Sequence, residues 1–156
     1  MRVIIFILMV QIFPILTFGQ SSDPAFTTPL VKKYINRCID GLESVEYLKN
    51  NSITKEMDFC NLATCFSFLE SYDKDSLFNE AIYERLRQIA QEFYNEGTPI
   101  LIIGNGMNSA ELSQRLNKEE NGYGVTYVSL GNSCLSFGSL DKGITKFNLE
   151  TKLLVN

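Results

Sequence analysis

The sequence predicts an α+β protein: three N-terminal helices tied by disulfides, packed on a small, mostly antiparallel C-terminal sheet. Three observations carry this expectation. Apolar residues recur at helical spacing from Val31 to Phe93. After Pro99 the apolar runs shorten to strand length. The cysteines Cys38, Cys60, Cys65 and Cys134 fall in both halves, so bridges can join them.

The compartment decides how those cysteines read. Arg2 precedes an apolar run from Val3 to Leu16, and Thr17-Phe18-Gly19 offers small residues for cleavage before Gln20. A charged start, an apolar middle and a small-residue end make a secretory signal peptide, residues 1–19. The run is about 14 residues and contains Gln11 and Pro14, short of the roughly 20 that a span requires. Residues 20–156 are then expected as one secreted domain, helical over 29–96 and mixed, β-rich over 99–156. The expected location is extracellular, where an even set of cysteines forms two bridges by default.

Thr28-Pro29 reads as a helix start, a hydroxyl cap with proline in the first turn. Val31, Ile35, Cys38, Leu42 and Val45 follow at spacings of four and three, which predicts one helix from Pro29 to about Lys49 running through Gly41. Asn50-Asn51-Ser52 breaks it and makes Asn50 an N-glycosylation acceptor. A second helix is expected from Ser52 or Thr54 to about Ser71, apolar nearly all round and therefore central. Phe78, Ile82, Leu86, Ile89 and Phe93 mark a third, ending near Asn95 before Gly97 and Pro99.

Ile100 to Ile103 reads as a buried strand, and Asn108 with Glu111 resembles a capping box for a short helix to about Asn117. Val125 to Leu130 reads as a strand, with Gly131-Asn132 turning into a second strand over Ser133 to Phe137. Asp141-Lys142-Gly143 reads as a further turn into a strand over Ile144 to Leu149, extended by Lys152 to Asn156. If Cys60 and Cys65 share a helix, their Cα atoms lie about 7.5 Å apart along its axis. A disulfide tolerates roughly 7 Å. The favoured pairing is therefore Cys38–Cys65 between the first two helices and Cys60–Cys134 to the sheet.

The chain carries 14 basic and 18 acidic residues, and the leader removes one base, Arg2. This balance argues against nucleic acid and against a polybasic membrane-surface binder. No histidine is present, which removes the usual Ser-His-Asp and Cys-His catalysts and the commonest metal ligand. Gly131-Asn132-Ser133-Cys134 begins like a nucleophile elbow without its closing glycine. Gly104-Asn105-Gly106 before a helix lacks the third glycine of a dinucleotide loop, since position 109 is serine, and reads as a structural turn. Asp73, Asp75 and Glu80 fail the calcium-loop pattern at Leu77 and Phe78, and read as helix caps. Adjacent Glu119 and Glu120 do not make a facing acid pair. Phe59, Phe66, Phe78 and Phe93 sit at core spacing, whereas Tyr123 and Tyr127 are candidates for a contact surface.

Cys60-Asn61-Leu62-Ala63-Thr64-Cys65-Phe66-Ser67-Phe68-Leu69 resembles a segment of a nematode family of secreted, cysteine-rich helical domains of unknown function. That family pairs two cysteines separated by four residues with a following Phe-Ser-x-Leu and another helix, and it carries more cysteines than this chain. The resemblance implies secretion and a helical start, and no activity. The function expected is a secreted, non-enzymatic binding protein for an extracellular protein or a small apolar ligand. The alternative is a small hydrolase using carboxylates or an unusual nucleophile. No cofactor or metal is expected, and no membrane span after leader cleavage.

Overall fold

The computed structural model describes residues 28–104, 106, 108–119, 124–131 and 138–156. The expected leader, Tyr123, the strand expected over 133–137 and Cys134 lie outside the described residues.

Thr28 opens the first helical turn, its Oγ1 accepting from Val31 N–H at 3.3 Å. The turn widens into a π-helical segment, Val31–Ile35, closed by Asn36 N–H on the Val31 carbonyl at 3.2 Å. The single helix expected to Lys49 does not form. The chain runs irregularly through residues 37–39, turns at Gly41 with φ +80°, and resumes helix only at α1, Glu46–Asn50. A glycine turns there without steric penalty. The reason for the break is tertiary: Ile39 N–H donates to the Cys60 carbonyl at 2.8 Å instead of closing a helical turn. Of the periodic residues, Val31 and Ile35 are buried, Leu42 and Val45 are half-buried, and Cys38 is exposed.

Helix α2, Leu62–Ser71, starts later than expected because Asn61 caps it, with Oδ1 accepting from Thr64 N–H at 2.8 Å. Residues 51–56 form turns, held by Ile53 N–H on Asn51 Oδ1 and by Thr54 Oγ1 donating to the Leu48 carbonyl. Residues 57–60 lead irregularly into the cap, so Cys60 lies outside the helix that holds Cys65. Helix α3, Ser76–Asn95, follows the sequence pattern closely. Asp75 caps it through Phe78 N–H at 3.0 Å, and Phe78, Ile82, Leu86, Ile89 and Phe93 are buried.

The remaining elements are β1, Ile100–Ile103; α4, Ser109–Lys118; β2, Thr126–Ser129; and α5, Gly138–Val155. The two strands pair in parallel, Ile100 opposite Thr126 and Ile103 opposite Ser129, and not antiparallel as expected. Helix α4 is the crossover that a parallel pair requires. Its expected capping box is not formed: Asn108 sits at φ 71° and its side chain makes no cap bond. The strands expected over 144–149 and 152–156 belong to α5, whose Leu140, Ile144 and Phe147 face the core at helical spacing. Gly143 lets α5 approach closely, since a Cβ there would stand 2.5 Å from Leu69 Cδ1. The helices are thus not confined to the N-terminal half, and the fold is a mixed one in which α3 and α5 pack together against the sheet and α2.

Each strand of a two-stranded sheet leaves one edge unpaired. The outer edge of β1 is met by Asn148 of α5, which accepts from Ile102 N–H at 2.7 Å and donates to the Ile102 carbonyl at 2.7 Å. The outer edge of β2 is met identically by Asn117 of α4, with Tyr127 N–H and carbonyl both at 2.7 Å. Asn148→Leu is therefore expected to destabilise the protein by about 1–3 kcal/mol, leaving two part-buried backbone groups unpaired. Asn117→Leu is expected to have a smaller effect, because water reaches the Tyr127 edge. Urea denaturation, with amide exchange at Ile102, measures both; equal effects would contradict this ranking.

Candidate functional site

Helix α3 places Arg85 three residues beyond Ile82 and four before Ile89, on its inward face. Among the described residues whose side chains are buried, Arg85 alone is charged, at 7% exposure. Its Nε and Nη1 are buried with no hydrogen-bond acceptor among the described residues. Burial lowers the pKa of the guanidinium from its ordinary value, opposed by the neighbouring Cys65 and Asp58. It nevertheless remains a cation at every physiological pH.

Two cavities meet at this guanidinium. One, of about 240 Å³, is walled by the 38–42 loop, with Asp40 on its rim, and by Asp58, Phe59 and Cys60. The other, of about 180 Å³, is walled by Val45, Leu48, Met57 and Phe59, with Lys49 and Lys55 also lining it. Asp58 and Phe59 belong to both.

The wall of the first cavity is held by a disulfide, Cys38–Cys60, with Cα atoms 4.7 Å apart. Closing a loop of this length contributes about 3 kcal/mol in the chain-entropy account. The pairing corrects both expected bridges, Cys38–Cys65 and Cys60–Cys134. Cys60 precedes the Asn61 cap, so helical geometry does not bind it to the orientation of Cys65. Cys65 is a free, fully buried thiol, pushed up to about 12 by burial, with Arg85 pulling the other way. Cys38, Asp58 and Cys60 bring their ligand atoms within 4.8 Å of one another, but the two sulfurs are bonded together and offer no thiolate pair to a metal.

The other residues singled out in the sequence serve the fold or lie apart. Asp75 caps α3, and Glu80 is exposed and pairs with Lys142 and Lys146. Asp73 accepts from Ser139 N–H at 2.8 Å, and the Ser139 hydroxyl together with this N–H holds its carboxyl below the usual carboxylate range. Phe59, Phe66, Phe78 and Phe93 are core residues, and Phe59 and Phe78 both pack against the ring of Phe68. Asn50, the last residue of α1, and Ser52, on the turn after it, are exposed. Beyond the carboxyl end of β1 a crevice of about 490 Å³ runs past Gly104, Gly106 and Ser109. The strand and the helix of the sequence reading do form, yet Ser109 Oγ bonds Ser129 Oγ at 2.8 Å and the Gly131 carbonyl, and Glu111 adds a carboxylate. Arg115 is the cation that lines this crevice, and it lies 3.9 Å from the Glu119 carboxylate.

Arg85 is the residue that the sequence reading overlooked, although its spacing from Ile82 and Ile89 marks it as inward-facing. Comparison with protein-family models, curated proteins and solved structures finds no match to this chain. Alkylation of native protein with iodoacetamide at pH 8 is expected to leave Cys65 unlabelled until denaturant is added, since the reactive thiolate is suppressed and covered. Peptide mass mapping reads the same samples and is expected to find Cys38 linked to Cys60. Rapid native labelling of Cys65 would refute this placement.

Proposed function

We propose that the chain is a secreted, non-enzymatic binding protein, and that Arg85 holds a small anion as its ligand. The observation that carries this is the buried guanidinium whose Nε and Nη1 lack an acceptor. A buried charge without partners is expensive, so charges inside proteins are paired. Arg85 also lines two cavities large enough to hold a small ligand beside the guanidinium. The charged floor turns the expected ligand chemistry from apolar to anionic. Secretion is supported by the leader pattern of residues 1–19 and by a disulfide whose Cys38 is exposed. No helix among the described residues is long and apolar enough to cross a membrane.

The binding reading separates stability from function. Arg85→Leu removes a buried cation whose Nε and Nη1 lack acceptors, and of the carboxylates that act on it, Asp58 is exposed and stays solvated. The variant is expected to be more stable than wild type by about 1–3 kcal/mol in urea denaturation. It is also expected to lose the saturable rise in melting temperature that acetate or inorganic phosphate gives the wild type at low salt. A wild type whose melting temperature ignores both anions would end this reading.

We also propose that Asn50 carries an N-linked glycan, on the evidence of an exposed sequon at the end of α1. Digestion of the secreted protein with an endoglycosidase is expected to lower its mass by one glycan, and Asn50→Gln is expected to remove that shift. An unchanged mass would exclude the modification.

A further inference from the structure

Building on the assignment of Arg85 as an anion site, we infer that the ligand is a small organic dianion and that it reaches the guanidinium from the side of Lys49 and Lys55. The two cavities that share Arg85 are opposite in charge. The first offers Arg85 against the carboxylates of Asp40 and Asp58, a net charge that repels anions. The second offers Arg85, Lys49 and Lys55 against Asp58 alone. Three cations and one carboxylate leave an excess that a doubly charged ligand neutralises and a singly charged one does not.

The lysine side is held by hydrogen bonds between α1 and the turn that follows it. Lys49 sits in α1, and Lys55 lies on a turn held by Lys55 N–H on the Asn51 carbonyl at 2.9 Å. The same turn is tied to α1 by Thr54 Oγ1 donating to the Leu48 carbonyl at 2.8 Å. Both lysine side chains remain exposed, free to swing onto a ligand, while Arg85 waits at the buried end. Besides the cations the cavity is lined by Val45, Leu48, Met57 and Phe59, with Ser44, Thr54 and Asp58 as its polar residues. A space of about 180 Å³ corresponds to about six water molecules. It therefore takes a ligand with a short apolar body and two negative charges, either a short dicarboxylate or a phosphate monoester of a small alcohol.

Isothermal titration of the mature chain at low ionic strength and pH 7.5 tests this, with succinate and methyl phosphate as dianions and propionate as the monoanion. At least one dianion is expected to bind, and which one identifies the charged group. Propionate is expected to bind about tenfold more weakly or worse. Lys49→Ala and Lys55→Ala are each expected to weaken the dianion about threefold to tenfold, as loss of a partly screened cation should. Asp40→Asn, on the opposite rim, is expected to change affinity less than about twofold. Both lysines are exposed, so these variants keep the fold. Propionate binding as tightly as the dianions would overturn the inference, as would lysine variants that bind unchanged while Arg85→Leu does not bind. In those cases the anion site itself stands. A wild type that binds none of the three probes overturns both.

Discussion

The fold depends on a solution to one problem, how a parallel sheet with two strands among the described residues survives. Each strand pairs on one side and presents bare N–H and carbonyl groups on the other, and such edges invite either water or another chain. Here each outer edge meets one asparagine side chain, whose amide supplies the donor and acceptor that a third strand would have supplied. The two asparagines come from the helices that flank the sheet, Asn148 from α5 and Asn117 from α4. Each contact therefore fixes a helix as well as an edge. Once Asn148 is seated on Ile102, the rotation of α5 about its axis is set. Its Leu140, Ile144 and Phe147 must then point into the core, and Gly143 meets Leu69 of α2.

The start of α5 is held by a second polar arrangement, at the turn between α2 and α3. Asp73 takes the Ser139 N–H on its carboxylate and the Ser139 hydroxyl on its backbone carbonyl. Asn79 donates to the same carbonyl and to the Ser139 hydroxyl, and Tyr83 donates to the Ser139 carbonyl. Helix α5 is thus pinned near its beginning by α3 and further along by β1. Helix α5 covers one side of α3, and α3 also packs against α1 and α2. Arg85 lies beside the 38–42 and 57–60 segments. Its seclusion beside Cys65 follows from helix geometry; what it faces follows from the disulfide.

Much of this was legible in the sequence where one periodicity ran without competition. Helix α3, strands β1 and β2 and the buried phenylalanines follow from spacing alone. The misreadings arise where a local signal and a distant contact point different ways. Gly143 within Asp141-Lys142-Gly143 looks like a turn, yet the absent side chain is what allows α5 to lie against Leu69. Gly41 looks tolerable within a helix, yet it takes φ +80° because the Cys60 carbonyl and sulfur claim Ile39 and Cys38. The argument against a Cys60–Cys65 bridge assumed a shared helix, and Asn61 ends that helix between them. The turn signals at Gly131-Asn132 and Asp141-Lys142-Gly143 point to an antiparallel sheet, whereas β1 and β2 pair in parallel. That connectivity depends on the crossover helix.

The region around Arg85 differs from the rest of the molecule in what holds it. The 38–42 and 57–60 segments belong to no helix or strand, and Ile39 N–H on the Cys60 carbonyl is a single bond between them. Packing alone would leave such walls loose, since few backbone bonds resist their separation. The Cys38–Cys60 bridge supplies the constraint from the solvent side, where Cys38 is exposed, while Phe59 anchors the same stretch in the core. A guanidinium at the meeting point of those walls weakens the core it occupies, and an aliphatic side chain would fill the space with no desolvation penalty. The arrangement makes physical sense when the charge is completed from outside. A covalent tie keeps these walls in place on one side of the guanidinium, and the buried cation gives an anion a reason to approach from the side of Lys49 and Lys55.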